Sequence, residues 1–292
     1  MYLLLMPIAA FGQSVRSVTI VTEPSARVWI DDVEYGTTDS DGRIRFRTFA
    51  VGVHKLRVRA QGFREVVQNL PAGNEIKVPL VRSADEAELA FQMAEAESDK
   101  EKAAALYEKA IKIRPNYPDA FIGLARVQSS LGDVDEAMKA VRAARKLKPG
   151  FALASTVEAR ILKDEGNLDQ AVASFKRAII EGRGFQPEAH TGLGLIYREK
   201  AESSVSDGDT DSATANYLLA AGELQKAATQ LAGAPDAITI YQLLGDSYER
   251  ADKWPEAIRV YEQFLRVFPD ANEAEMFRSF IVQAKKRIAS SQ

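Results

Sequence analysis

Ala103-Ala104-Ala105-Leu106-Tyr107-Glu108-Lys109-Ala110, Ala137-Met138-Lys139-Ala140-Val141-Arg142-Ala143-Ala144 and Ala171-Val172-Ala173-Ser174-Phe175-Lys176-Arg177-Ala178 stand 34 residues apart. Each has a small residue first, a large apolar residue fifth and a small residue eighth. Pro115 precedes Pro149 by the same 34 residues. A period of this length marks a stacked array in which one helix hairpin is the unit. Close packing explains the residue types. An alanine on the second helix lets the first helix approach, the large residue fills the next groove, and proline ends the unit.

Two later segments carry the other half of the unit: His190-x-x-Leu193-Gly194-x-x-Tyr197, and Tyr241-x-x-Leu244-Gly245-x-x-Tyr248 continuing to Ala257, Tyr261 and Pro269. In the last unit Phe264 takes a place usually held by a small residue. On these residues the chain resembles the tetratricopeptide repeat family. The expected repeats lie near 84–117, 118–151, 152–185, 187–232 and 238–271. In the fourth, residues 203–211 are expected to loosen the turn between its helices, and its second helix, from about 212 to 231, is long. Residues 272–290 read as a capping helix, with Met276, Phe277, Phe280, Ile281 and Ile288 covering core that a solenoid end would otherwise expose.

Ahead of the array, residues 15–82 change period. Val18-Thr19-Ile20-Val21, Ala26-Arg27-Val28-Trp29-Ile30, Arg43-Ile44-Arg45-Phe46-Arg47, Lys55-Leu56-Arg57-Val58-Arg59 and Ile76-Lys77-Val78-Pro79-Leu80 are short, β-branched and mostly alternating. Turn signals such as Glu23-Pro24-Ser25, Tyr35-Gly36 and Asp41-Gly42 separate them. This is the pattern of a small all-β sandwich or open barrel. Pro24-Ser25-Ala26, Val28-Trp29-Ile30-Asp31, Gly36-Thr37-Thr38, Gly52-Val53-His54 and Gly62-Phe63 resemble the PEGA domain family, with Ser25 in place of its namesake glycine. Asp39-Ser40-Asp41-Gly42-Arg43 is also similar to the transthyretin-like regulatory domains of carboxypeptidases. Either resemblance implies a sandwich without catalysis of its own. The expectation is a multidomain chain, a small β-sandwich followed by an all-α solenoid and its cap.

The 292 residues carry 38 basic and 41 acidic side chains, a net charge of -3, which argues against nucleic acid as the main partner. The balance conceals a split: residues 15–82 carry 11 basic and 8 acidic side chains, residues 83–292 carry 27 and 33. The apolar run at 2–11, followed by Gly12-Gln13-Ser14, has the length of a signal-peptide core and is too short for a membrane-spanning helix. An exported protein of a bacterial periplasm or cell envelope is expected, with residues 1–14 as its signal peptide and no integral span in the mature chain.

Candidate chemistry is thin. The chain has no cysteine, which excludes thiol catalysis and thiolate metal sites, and two histidines, His54 and His190. No nucleophile motif, phosphate loop or metal-ligand spacing occurs; no catalytic residue, metal or cofactor is expected. Gly192-Leu193-Gly194 falls inside a helix hairpin, not after a strand, so a dinucleotide site is set aside. Asp31, Asp32, Asp39 and Asp41 are explained by turns more simply than by calcium.

Two surfaces are candidates for binding. Arg43, Arg45 and Arg47 alternate with apolar residues, as do Lys55, Arg57 and Arg59; on adjacent strands they would place six cations on one face, where an anionic envelope polymer could bind. In the tetratricopeptide family the first helix of each hairpin lines a concave groove. On that register the groove residues are Arg126, Thr156, Arg160, Lys163, Thr191, Arg198, Gln242 and Asp246, a basic stripe after an acidic first repeat with Asp85, Glu88 and Glu95. The function expected is non-catalytic scaffolding: the groove holds an extended peptide or protein partner and the β domain acts as adaptor. The alternative is a wall- or anionic-polysaccharide-binding protein using the basic β face.

Overall fold

Alternating residues produce seven strands in the N-terminal region of the computed structural model, which describes residues 15–49 and 53–290. The signal peptide expected at residues 1–14 lies outside the described residues. The strands are β1 (Val15–Val21), β2 (Arg27–Ile30), β3 (Val33–Thr37), β4 (Arg43–Phe49), β5 (Lys55–Arg59), β6 (Val66–Asn69) and β7 (Glu75–Lys77). One sheet has the order β4-β1-β7 and the other β3-β2-β5-β6. The sheets' inward residues, among them Val18, Ile20, Val28, Leu56, Val58 and Ile76, join one apolar cluster.

β4 and β5 are therefore not neighbours, and the expected face of six cations does not form. β4 pairs with β1 from Val21↔Arg43 to Val15↔Phe49, while β5 lies between β2 and β6. This placement keeps the two rows of like charge off directly opposed positions, where they would repel. β3 and β6 were not expected as strands. β3 returns from β2 through Asp31-Asp32, whose φ values of 50° and 67° give the left-handed pair of a tight hairpin turn. Asp31 also accepts the Lys55 N–H at 2.7 Å, and its other carboxylate oxygen lies 2.6 Å from His54 Nδ1. His54 and Asp31 thus tie the hairpin to the start of β5.

The helices are α1 (Glu86–Ala96), α2 (Lys100–Ile113), α3 (Pro118–Leu131), α4 (Val134–Leu147), α5 (Ala152–Asp164), α6 (Leu168–Glu181), α7 (Pro187–Ser206), α8 (Thr210–Leu231), α9 (Ala237–Arg250), α10 (Trp254–Val267) and α11 (Ala274–Ser290). Ala103, Ala137 and Ala171, with Ala110, Ala144 and Ala178, are buried on the second helix of successive hairpins. Helix starts are capped where a short polar side chain can reach free N–H groups. Asp85 accepts from Ala87 and Glu88, Asp99 from Lys102, and Asp209 from Ser212. Proline opens α3 and α7, where no N–H is needed.

The loosened turn expected over residues 203–211 is not present. α7 runs on to Ser206, leaving only Asp207-Gly208-Asp209 between the helices. Ser204 and Ser206 are accommodated in the helix with their hydroxyls donating back to the Lys200 and Glu202 carbonyls, each at 3.0 Å. Gly192 and Gly194 also find their reason here. Two residues along a helix is a rotation of about 200°, so the pair opens opposite faces of α7. Gly192 lies under the Phe175 ring of α6, and a Cβ on Gly194 would come 2.7 Å from Leu224 Cγ of α8.

In the cap, Phe277 is fully buried, and Met276, Phe280 and Ile281 pack on the same cluster; Ile288 is not among the residues packed there. That cluster runs from the β sheets through α8, α9, α10 and α11. The β region also grips α1: Gln92 accepts the Gly62 N–H at 2.9 Å and donates to the Phe63 carbonyl at 2.8 Å. At the far end Arg47 pairs with Asp270 at 3.4 Å, and the Gly233 backbone lies so close to the Arg47 carbonyl that a Cβ would collide with it. The β region therefore touches both the first hairpin and the last.

Candidate functional site

Strand alternation puts Val28, Ile30, Leu56 and Val58 inward, so Arg27, Trp29, Arg57 and Arg59 share the outer face of the β2–β5 pair. The register sets Arg27 opposite Arg59 and Trp29 opposite Arg57. Three guanidinium carbons lie over the Trp29 ring, Arg57 at 4.5 Å from its centroid, Arg27 at 4.8 Å and Arg59 at 5.5 Å. Carboxylates neutralise two of them. Arg27 bonds both oxygens of Glu34, at 2.6 and 3.2 Å, and Arg59 is held between Glu65 and Glu95. Burial alone would lower the pKa of Arg59, but Glu95 and Glu65 outweigh it and hold the guanidinium above its ordinary value.

This face looks onto a cavity of about 1130 Å³ whose opposite wall is built by the inner helices. α1 contributes Phe91 and Glu95, α2 Tyr107, α3 Arg126, α5 Arg160, α7 Glu188 and Thr191, and α9 Ile240. Arg126 and Arg160 share one carboxylate, that of Glu188, at 3.5 and 2.8 Å. The β region is thus one wall of the groove rather than an appendage to it.

Of the expected groove residues, Arg126, Arg160 and Thr191 line this cavity; the others lie elsewhere. Thr156 is fully buried and donates to the Ala152 carbonyl and to Gln186. Lys163 pairs with Asp164 at 3.3 Å, outside the cavity lining. Arg198 turns into the α7–α9 contact, donating to the Leu243 carbonyl and Ser247 Oγ and pairing with Asp246 at 2.6 Å. Asp246 also binds Arg250, and Gln242 Nε2 faces Met276 Sδ at 3.8 Å. Four of these five residues make contacts between helices of neighbouring hairpins or with the cap, Lys163 meets only its sequence neighbour, and the continuous basic stripe is replaced by two arginines on one glutamate. In the first repeat Glu95 lines the cavity; Asp85 caps α1 and Glu88 accepts the Glu65 N–H.

The sheet cations divide likewise. Arg43 pairs with Glu75 at 2.6 Å, Arg45 donates to Ser17 Oγ and Arg47 reaches Asp270, all away from the cavity lining. Lys55 is exposed at the start of β5. Only Arg57 and Arg59 of the six enter the cavity wall, joined by Arg27 and Trp29. An Arg-x-Trp strand with inward apolar neighbours is the sequence signal that marks this wall.

Tyr107 reports the local field. Burial, reinforced by Glu95, pushes its phenol from 10.0 up to about 12, against the opposing pull of Arg126, Arg27 and Arg59. A raised phenol pKa stabilises the fold fully below the unfolded value, and that contribution is lost as pH rises through about 12. In an ultraviolet phenolate titration, the difference between wild type and Tyr107→Phe should show a midpoint near 12. Glu95→Gln should lower that midpoint; an unchanged one would contradict the role given to Glu95.

Among the described residues no group of three or more His, Asp or Glu side chains is placed to hold a metal ion, and no helix is long and apolar enough to cross a membrane. The tetratricopeptide repeat family model matches residues 94–161, and a second of the same description matches 156–203 and 243–279. No curated protein matches the chain. Solved structures similar to it include a thermophilic TPR protein of Thermus thermophilus, at 21% identity over 67% of this chain and 99% of that one, with a TM-score of 0.45. MamA of Desulfovibrio magneticus is similar at 19% identity over 65% and 98%, TM-score 0.44. PilW, described as a type IV pilus biogenesis factor, is similar at 18% over 66% and 99%, TM-score 0.38.

Proposed function

The helical array belongs to the tetratricopeptide repeat family, whose members generally serve protein–protein interaction and scaffolding, and we propose that this chain is a non-catalytic scaffold holding an extended peptide of its partner in the cavity between array and sheet. The observation that carries this reading is the cavity itself. Its walls present aromatic faces, arginines and carboxylates together, the mixture that fixes an extended chain through side-chain and backbone hydrogen bonds. The repeat architecture and the absence of cysteine from the chain are consistent with a non-catalytic protein. We read the β region as a PEGA-like sandwich that completes the groove, so its role as adaptor is exercised inside the site.

We assign the protein to the bacterial cell envelope, exported to the periplasm. The supports are the apolar run at residues 2–11 with the small residues Ala10 and Gly12 at its end, and a chain free of cysteine. The polymer-binding alternative loses its geometric support, because its six cations are divided between two sheets.

Pull-down from envelope extracts tests the groove. With Arg126→Glu and Arg160→Glu combined, three carboxylates would crowd where one now serves two cations, and partner recovery should fall at least about tenfold. Unaltered recovery by a folded double variant would sink the reading.

A further inference from the structure

Arg57 differs from the other two arginines on Trp29. Arg27 and Arg59 are matched by Glu34, Glu65 and Glu95, whereas among the described residues the carboxylate paired with Arg57 is that of Asp32 alone, at 3.5 Å, with 85% of its side chain exposed. That distance is beyond a good charge-assisted hydrogen bond. Arg57 Nε is buried and has no hydrogen-bond partner, so the guanidinium is partly desolvated without full pairing. Its plane is held near the indole at 4.5 Å, and the residue lines the same cavity as Arg126 and Arg160.

We propose that Trp29 and Arg57 form a receptor for the carboxylate of an Asp or Glu side chain within the bound peptide. The inference rests on the groove reading above and adds the ligand's chemistry. Asp32 holds the place loosely. When it swings into solvent, the terminal nitrogens of Arg57, one of which Asp32 now meets, can take an incoming carboxylate, while Trp29, buried behind the guanidinium, backs it and reports on it. Two neighbouring arginines that already have carboxylates do not compete for the ligand; Arg57 does the selecting. The cavity is open and extends past this platform to α9, which favours an internal side chain over a chain terminus.

The probes are two fluorescein-labelled nonapeptide pools with amidated C-termini, one with Glu at alternate positions and one with Gln there, plus the Gln pool with a free C-terminal carboxylate. Binding is read by anisotropy in the full chain. Trp29 emission is read in a Trp254→Phe background, since the chain has two tryptophans. The Glu pool should bind and change Trp29 emission, with the Gln pool about tenfold weaker, as expected for one charge-assisted pair. Arg57→Gln should remove that preference and Arg57→Lys restore part of it, with thermal melting confirming that both variants fold. Equal binding of the Glu and Gln pools, insensitivity to Arg57→Gln, preference for the free C-terminus or failure of the Glu pool to bind would each overturn the proposal. If both pools bind equally and the Arg126→Glu, Arg160→Glu variant abolishes binding, the groove reading stands and the Trp29–Arg57 platform alone falls.

Discussion

Phe277→Ala should lower the unfolding free energy by about 3–5 kcal/mol, the range for removing a fully buried phenylalanine. Phe277 is 0% exposed and stacks on Phe264 with centroids 3.6 Å apart, while its edge meets Tyr261 at 5.5 Å. The contact answers a departure within the last repeat: Phe264 is large where a small residue is usual, and the cap brings a second ring to cover it. The lost volume lies in the cluster shared by α8–α11 and the β sheets. Denaturant unfolding followed by helix signal and by Trp29 emission should therefore shift together. A loss below about 1 kcal/mol, or a Trp29 transition left in place, would show that the cap and the sheet core are energetically separate.

Repetition explains why the helical part could be read from sequence. Ala103, Ala137 and Ala171 recur because each hairpin meets its neighbour through the same close contact, so a local pattern carries the long-range packing. The sheet offers no such repetition. Arg43–Arg47 and Lys55–Arg59 have nearly the same alternation, which sets the face of each side chain but says nothing of which strand lies alongside. Pairing was decided by β1, which takes β4 on one side and β7 on the other. Arg198 and Thr156 were placed in the groove by family register, which does not set what stands opposite each side chain. Arg198 meets α9, and Thr156 is covered by Gln186. Trp29 was visible as a residue but not as a site, because its significance depends on Arg57 and Arg59 arriving from the strand opposite and on the array closing over them.

Gly245→Ala should destabilise the chain by about 2–3 kcal/mol, although alanine is the better helix former, because overpacking against an immobile ring costs more than propensity returns. A Cβ at Gly245 would sit 2.6 Å from Tyr261 Oη and closer still to the ring carbons. The ring cannot easily yield. Tyr261 is 2% exposed, its hydroxyl donates to Glu249 Oε1 at 2.9 Å, and Phe277 and Phe280 pack against it at 5.5 and 5.3 Å. Gly222, in the middle of α8, is the matched control: nothing lies within 4 Å of where its Cβ would be. There the same substitution should stabilise by about 0.5–1 kcal/mol, since only helix propensity changes. Opposite signs at these two helical glycines, measured by denaturant unfolding, are the expected result. Adding Tyr261→Leu to Gly245→Ala should return part of the loss, with the double variant more stable than the sum of the singles, because the smaller side chain vacates the space the new methyl needs. If Gly245→Ala behaved like Gly222→Ala, the α9–α10 contact would have to be looser than the burial of Tyr261 implies.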